Sequence, residues 1–194
     1  MRYLLLIMSL ILFSSMPGPT KCPIYGDNAS IKMKKADSLK NRNFSPKTIN
    51  PKITLEAILS GGTNEANEYS PEEGADLSGY IILVKPGGSE TCNCHSKLPE
   101  DKDIHIELAL HPHDPASKAM VCEINRYTKH DMAQFTIPNI KKLIGTKVTI
   151  RGLMFYDEEH KQNATATNPK GTHNWRYSCW ELHPVSSIIP LYKN

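Results

Sequence analysis

The nine residues from Asp103 to His111, Asp-Ile-His-Ile-Glu-Leu-Ala-Leu-His, constrain the fold more than any other part of the chain. Aliphatic side chains at positions 104, 106, 108 and 110 alternate with His105, Glu107, Ala109 and His111. A period of two is that of an extended strand, which sends successive side chains to opposite faces of a sheet. The pattern therefore predicts a strand with one apolar face for a core and one face that carries ionisable groups.

Four further strand-like runs are short and bounded by turn residues, at 79–84, 119–125, 146–156 and 176–188. Gly152 lies in the middle of the run at 146–156 and predicts a bulge or bend there. Between the runs at 119–125 and 146–156, residues 136–145 predict a helix of one to two turns. Pro138 suits its first turn, and Gly145 suits its end.

Three strands, a short helix and two strands is the order of the OB-fold, a five-stranded Greek-key barrel. The stretch 145–156 resembles the strand that follows the helix in OB-type domains, where a glycine lets the strand curl round the barrel. We therefore predict a mainly β protein with one OB-like barrel over residues 77–190, preceded by an N-terminal arm and linker over 21–76. An open sandwich would use the same strands.

The first residues have the pattern of a signal peptide, because Arg2 precedes about ten apolar residues and a group of small and turn-forming residues follows. The apolar run is shorter than the roughly 20 residues that span a bilayer. We predict that residues 1–20 are removed, that no membrane span remains, and that the protein is periplasmic or extracellular. Lipid attachment at Cys22 is less favoured, because Lys21 stands where lipoprotein processing prefers a small residue.

Export changes the interpretation of the five cysteines. Cys122 and Cys179 fall in strand-like runs, and we predict a disulfide between them if their strands are neighbours. Cys92 and Cys94 lack the C-x-x-C spacing of redox and zinc-ribbon motifs. They are therefore interpreted as structural or free thiols rather than as metal ligands.

Four short segments together resemble a group of exported bacterial proteins of unassigned function. They are Cys-Asn-Cys at 92–94, Asp-Ile-His-Ile-Glu-Leu at 103–108, Phe-Tyr-Asp-Glu-Glu-His at 155–160 and Trp-Glu-Leu-His-Pro-Val at 180–185. The resemblance covers residues 36–188 and implies export and a β-barrel. Because the group has no settled activity, it implies no catalytic residue.

The strand faces opposite the core carry candidate catalytic residues: His105, Glu107, Glu123, Arg151, Glu181 and His183. These are ingredients of a metal-dependent hydrolytic site, or of acid/base chemistry on a phosphodiester with Arg151 as charge stabiliser. A divalent metal ion is the candidate cofactor, with Glu123, Asp157 and His160 as candidate ligands. The alternative is a set of cross-strand polar pairs on the barrel surface.

Strand order limits this site. In an OB barrel the third strand separates the second from the fifth, at about 4.8 Å per step. We therefore expect His105 and His183 to lie too far apart to share one ion, while Glu123 can share with either histidine.

A second candidate surface consists of Trp175, Arg176 and Tyr177, whose side chains suit stacking on bases or sugars. The net charge of +3 is too small to indicate nucleic-acid binding by electrostatics alone. The sequence favours an exported OB-like binding or accessory module, whose ligand is a polysaccharide, an oligonucleotide or an envelope protein. The alternative is a metal-dependent hydrolase of phosphodiesters.

Overall fold

Five strands form a closed barrel in the computed structural model, which describes residues 22–61 and 65–192. They are β1 (Gly74–Pro86), β2 (Ile104–Ala109), β3 (Met120–Ile124), β4 (Lys147–Tyr156) and β5 (Trp180–Pro190). Their order is β1-β2-β3-β5-β4, and β1 pairs with both β2 and β4. The β3 and β5 strands are parallel, and the other pairs are antiparallel. The prediction of a mainly β, five-stranded OB-like barrel is confirmed; the predicted signal peptide lies outside the described residues.

Four short α-helices accompany the barrel: α1 (Ile31–Lys40), α2 (Leu55–Leu59), α3 (Arg126–Asp131) and α4 (Ile137–Lys141). The predicted helix between β3 and β4 is α4, which has a proline in its first turn and Thr136 as its N-cap. Gly145 follows with a φ of +80°, a conformation that favours glycine. The sequence did not predict α3, whose N-cap Asn125 accepts a hydrogen bond from the Thr128 amide at 2.9 Å.

The barrel interior is apolar, and the alternation predicted for β2 places its aliphatic residues there. Ile104, Ile106 and Leu108 belong to one buried cluster with side chains from the other four strands and from α2 and α4. Each such side chain stabilises the fold by roughly 1.5–3 kcal/mol when fully buried. The ionisable residues of β2 consequently lie on the outer side of the barrel.

The β4 strand bends at Gly152, as predicted, since its register with β5 shifts on both sides of that residue. A Cβ atom on Gly152 would lie 2.8 Å from the Pro184 carbonyl oxygen and 3.0 Å from the Leu182 Cβ. The two strands therefore approach too closely here for a side chain.

The N-terminal segment packs on the outside of the barrel. Asn125 Nδ2 donates hydrogen bonds to the carbonyl oxygens of Lys40, at 2.8 Å, and Arg42, at 2.7 Å. Arg42 Nη2 in turn donates to the carbonyl oxygens of His183, at 2.7 Å, and Met154, at 3.1 Å. This segment covers outer positions of β3, β4 and β5 that the sequence placed on an exposed polar surface.

The disulfide joins Cys22 to Cys94, so the predicted pairing of Cys122 with Cys179 is wrong. Both of those cysteines are buried, and neither is disulfide-bonded. Cys122 points into the apolar core, whereas the Cys179 Sγ lies 3.6 Å from Thr167 Oγ1 in the loop before β5. Neighbouring strands therefore do not bring these two sulfur atoms together.

Within the described ranges, none of the helices has both the length and the apolar character of a transmembrane segment.

Candidate functional site

A group of ionisable side chains lies between the outer side of the barrel and the N-terminal segment, and we refer to it as the charged cluster. Each of its members is less than one tenth exposed: Lys40, Asp103, His105, Glu107, Glu123, Asp157, Arg176, Glu181 and His183. Strand pairing sets their positions, because His105 lies opposite Glu123, and Glu181 lies beside Val121. The alternative drawn from the sequence was a set of cross-strand polar pairs on the barrel surface. The cluster is buried instead, between the N-terminal segment and the residues Trp175 and Arg176.

Glu123 is at the centre of the charged cluster and contacts both predicted histidines. His105 Nδ1 donates to Glu123 Oε1 at 2.9 Å, and His183 Nδ1 lies 3.4 Å from Glu123 Oε2. The other contacts of His183 are with Glu181 Oε2, at 3.4 Å from Nδ1, and with Asp103 Oδ2, at 3.3 Å from Nε2. The β3 strand separates the two histidines as expected, and its carboxylate bridges them.

These contacts change how strongly the cluster holds protons. Burial alone would lower the pKa of His105, but hydrogen bonds to Glu107 and Glu123 raise it to about 9. Burial opposes protonation of His183 too, yet its carboxylate neighbours raise its pKa to about 10. Burial would raise the pKa of Glu123, but the two imidazoles hold it well below its usual range. Burial raises the pKa of Asp103.

Two permanent cations are paired with other carboxylates. Lys40 Nζ lies 2.7 Å from Glu90 Oε2. Arg176 Nη2 lies 2.8 Å from Glu181 Oε1, and its Nη1 lies 3.3 Å from Asp157 Oδ2. Such pairs compensate buried charges that would otherwise be costly to remove from water.

A pocket of about 160 Å³ adjoins the charged cluster. Its cationic and aromatic walls are formed by Lys40, Lys85, His105, His160, Trp175 and Arg176, and its acidic walls by Glu90, Glu123, Asp157 and Glu181. His160 Nδ1 donates to Asp157 Oδ2 at 2.5 Å. This hydrogen bond, opposed by burial, raises the pKa of His160. We refer to this space as the polar pocket.

Trp175 is half-buried at the polar pocket, and other side chains pack against its ring. Its ring centre lies 5.8 Å from that of His105 and 5.1 Å from that of His160. Lys85 Nζ lies 5.4 Å from the same centre, and the Arg176 guanidinium carbon lies 5.3 Å from it. The ring is therefore packed against four charged or titratable side chains.

The predicted stacking surface is not assembled as such. Arg176 is only 1% exposed and is held in ion pairs, so it is unable to stack on a ligand at the surface. The Tyr177 hydroxyl donates to the Gly61 carbonyl oxygen at 3.2 Å and does not line the polar pocket. Of the three residues, Trp175 and Arg176 form part of the pocket wall.

Arg151, a predicted catalytic residue, lies outside the charged cluster. It is exposed on β4, and its Nε and Nη2 atoms each donate to an Asp76 carboxylate oxygen on β1 at 2.7 Å. A bidentate pair of this kind fixes the orientation of the guanidinium on Asp76. Arg151 therefore stabilises no charge in the polar pocket.

The predicted metal ligands are also divided. Asp157 and His160 contact each other, but Asp157 is bound to Arg176, and Glu123 is bound to the two cluster histidines. Among the described residues, the group whose donor atoms all lie within 4.8 Å of one another is Asp103, Glu123 and His183. Glu123 therefore joins a different set of potential ligands.

Sequence reasoning missed Asp103, Lys40 and Lys85. Asp103 has the same period of two as His105 and Glu107, and this signal was sufficient to include it. Lys40 is one of several lysines in a polar segment, and no local pattern distinguishes it.

No protein-family model and no curated protein matches the chain. Among solved structures, the chain is similar to one described as "OBody AM3L09 bound to hen egg-white lysozyme", with a TM-score of 0.34 and 12% sequence identity. The alignment covers 76% of this chain and 100% of that chain. A likeness of this size bears on neither function nor fold, and the assignment of an OB-like barrel stands on the strand order.

Proposed function

We propose that this protein is an exported OB-like binding module that holds a small oxyanion, of the phosphate or phosphate-ester class, in the polar pocket. The observation that carries the proposal is the cationic wall of the pocket, to which Lys85, His105, His160 and Arg176 all contribute. Arg176 Nη2 is paired with Glu181 Oε1 at 2.8 Å, and His105 Nε2 lies 3.5 Å from Glu107 Oε1. Lys85 has no such carboxylate among the described ion pairs, and an oxyanion in the pocket would supply one.

Lys85 adds a positive charge at the mouth of the polar pocket. Its side chain is exposed, lies over the Trp175 ring and forms no ion pair among the described residues. His160 uses Nδ1 for Asp157, which leaves its second ring nitrogen for a ligand. Lysine ammonium and imidazole N–H groups are common partners of phosphate oxygens.

Three carboxylates of the pocket already have cationic partners, which disfavours a metal ion at this position. Glu90 is bound to Lys40, while Asp157 and Glu181 are bound to Arg176. A divalent ion at these carboxylates would have to displace or approach two permanent positive charges. The polar pocket therefore supports anion binding better than a metal-dependent hydrolase built on Glu123, Asp157 and His160.

Export is supported by the disulfide between Cys22 and Cys94, because disulfides persist in oxidising compartments. The bond also uses the Cys22 sulfur, the atom to which a lipid would be attached. An exported protein without a lipid anchor is consistent with both points.

The test is a titration of the purified, disulfide-bonded and metal-stripped protein with inorganic phosphate, followed by calorimetry or amide NMR. We expect saturable binding with a Kd at or below about 1 mM. Lys85→Ala and His160→Ala should each weaken it about tenfold, equivalent to about 1.4 kcal/mol. Lys147→Ala removes an exposed lysine of β4 that does not line the pocket and should leave binding unchanged.

The proposal is wrong if phosphate shows no saturation, or if Lys147→Ala weakens binding as much as Lys85→Ala does. A panel of neutral polysaccharides forms the second arm of the experiment. Tight binding of an uncharged glycan that is indifferent to Lys85→Ala would identify a different kind of binding module.

A further inference from the structure

The side chains of Asp103, Glu123 and His183 form a compact group behind the polar pocket. One donor atom from each lies within 4.8 Å of the others. Asp103 directly precedes β2, Glu123 lies on β3, and His183 lies on β5, which are three adjacent strands of a closed barrel. All three are less than one tenth exposed, so the barrel and its N-terminal cover hold the group rigidly.

From this group we infer a binding site for one divalent transition-metal ion, Zn²⁺ or Mn²⁺, with one imidazole and two carboxylates as its protein ligands. Imidazole suits zinc and carboxylates suit manganese, whereas Ca²⁺ and Mg²⁺ prefer sites made of oxygen alone. Three protein ligands leave at least one further position for water.

The separations fit an ion of this size. His183 Nε2 lies 3.3 Å from Asp103 Oδ2, and with one oxygen of Glu123 the three residues offer one donor atom each, all within 4.8 Å of one another. Ligand atoms at the corners of a tetrahedron with bonds of roughly 2.0–2.2 Å lie about 3.3–3.6 Å apart. Ligands on opposite sides of an ion lie at most about 4.4 Å apart, so a pair at the 4.8 Å limit has to move closer by at least a few tenths of an ångström when the ion binds.

Two further observations point to a ligand in this place. His183 is 0% exposed, and its Nε2 atom forms no hydrogen bond of good geometry, although Asp103 Oδ2 lies 3.3 Å away. The permanent cations Lys40 and Arg176 form their ion pairs with other carboxylates. Among the described ion pairs, Asp103 and Glu123 have only imidazoles as partners, so neither lysine nor arginine has to be displaced from them when an ion binds.

The test begins with the protein isolated after export and never exposed to chelator, whose metal content is measured by mass spectrometry. The stripped protein is then titrated with Zn²⁺, Mn²⁺ and Ca²⁺ in phosphate-free buffer. We expect one ion per chain and a Kd for Zn²⁺ or Mn²⁺ well below about 100 µM. Asp103→Asn and Glu123→Gln should each weaken that affinity by at least about 100-fold.

Glu107→Gln is the matched control, because Glu107 is buried on the same face of β2 and contacts His105 but belongs to no ligand group. Its effect should stay below about threefold. The inference is overturned if the wild type binds neither Zn²⁺ nor Mn²⁺, if Ca²⁺ is preferred to both, or if Glu107→Gln weakens binding as much as Glu123→Gln.

A measurement on the wild type alone tests the inference even if the substituted proteins fail to fold. Pulsed EPR of the Mn²⁺-loaded protein with ¹⁵N-labelled histidine should show one coupled imidazole nitrogen, and the absence of such coupling would remove His183 from the site. The inference does not rest on the oxyanion proposal. Metal is titrated without phosphate, and phosphate is titrated without metal. Either the metal site or the oxyanion pocket can therefore be disproved without the other.

Discussion

At the scale of single residues, buried charge distinguishes this protein from a simple barrel. Asp157 is a clear case, because it is 2% exposed and its two carboxylate oxygens accept three hydrogen bonds. The donors are the Glu159 amide, His160 and Arg176. Removal of one partner from such a group leaves the others uncompensated, which costs more than the pair itself contributes.

We expect Asp157→Asn to lower the free energy of unfolding at pH 7 by about 3–5 kcal/mol. Burial would raise the pKa of Asp157, but the His160 hydrogen bond and the charges of Lys40 and Arg176 hold it far below its usual range. A carboxyl group with a depressed folded pKa stabilises fully above its unfolded pKa of about 3.9, and this contribution is lost as the pH falls toward the folded value. The difference between variant and wild type should therefore narrow below about pH 4.

Chemical denaturation at pH 7 and at a series of lower pH values measures this difference. Glu158→Gln is the control, because Glu158 is the adjacent carboxylate and is largely exposed. A gap between Asp157→Asn and wild type that stays constant or widens on acidification would contradict the assignment.

At the scale of elements, local patterns were sufficient for the barrel and insufficient for its cover. The alternation in 103–111 predicted β2 and its two faces, and Pro138 predicted the first turn of α4. Each of these signals acts over a few residues. His105 and Glu123 are covered instead by parts of the chain that are distant in sequence. The Trp175 ring packs beside His105, and Asn125 holds the backbone at Lys40 and Arg42 against the barrel. No periodicity records such a contact, and this is why the sequence placed these side chains on the barrel surface.

The bend of β4 at Gly152 can be tested by substitution. We expect Gly152→Ala to destabilise the protein by about 1–3 kcal/mol, because the new Cβ would meet atoms of β5 that are unable to move independently. The matched substitution is Gly88→Ala, whose Cβ would lie 3.1 Å from Glu90 Oε1, the end of a flexible side chain. Thermal unfolding of both variants measures the loss of stability. Equal losses in the two variants would show that the β4 bend does not require glycine.

At the scale of the whole molecule, the protein has two interiors of opposite character. The first is the apolar core inside the closed barrel, which leaves no unpaired strand edge. The second is the charged cluster between β2, β3, β5 and the N-terminal segment. Since that segment forms one side of the second interior, we expect the bond between Cys22 and Cys94 to matter more for the site than for the barrel.

We therefore expect the double variant Cys22→Ser, Cys94→Ser to loosen the cover while the barrel stays folded. The disulfide closes a loop with a sequence separation of 72, for which chain entropy alone sets an upper stabilisation of about 4 kcal/mol. Hydrogen exchange should increase across residues 31–42 more than in β1 and β4, and phosphate affinity should fall, because Lys40 leaves the pocket wall. A reductant should shift the wild type toward this behaviour and leave the double variant unchanged. If reduction alters neither exchange in 31–42 nor phosphate affinity, noncovalent contacts such as those of Asn125, Arg42 and Lys40 hold the cover, and the disulfide contributes nothing to the assembly of the polar pocket.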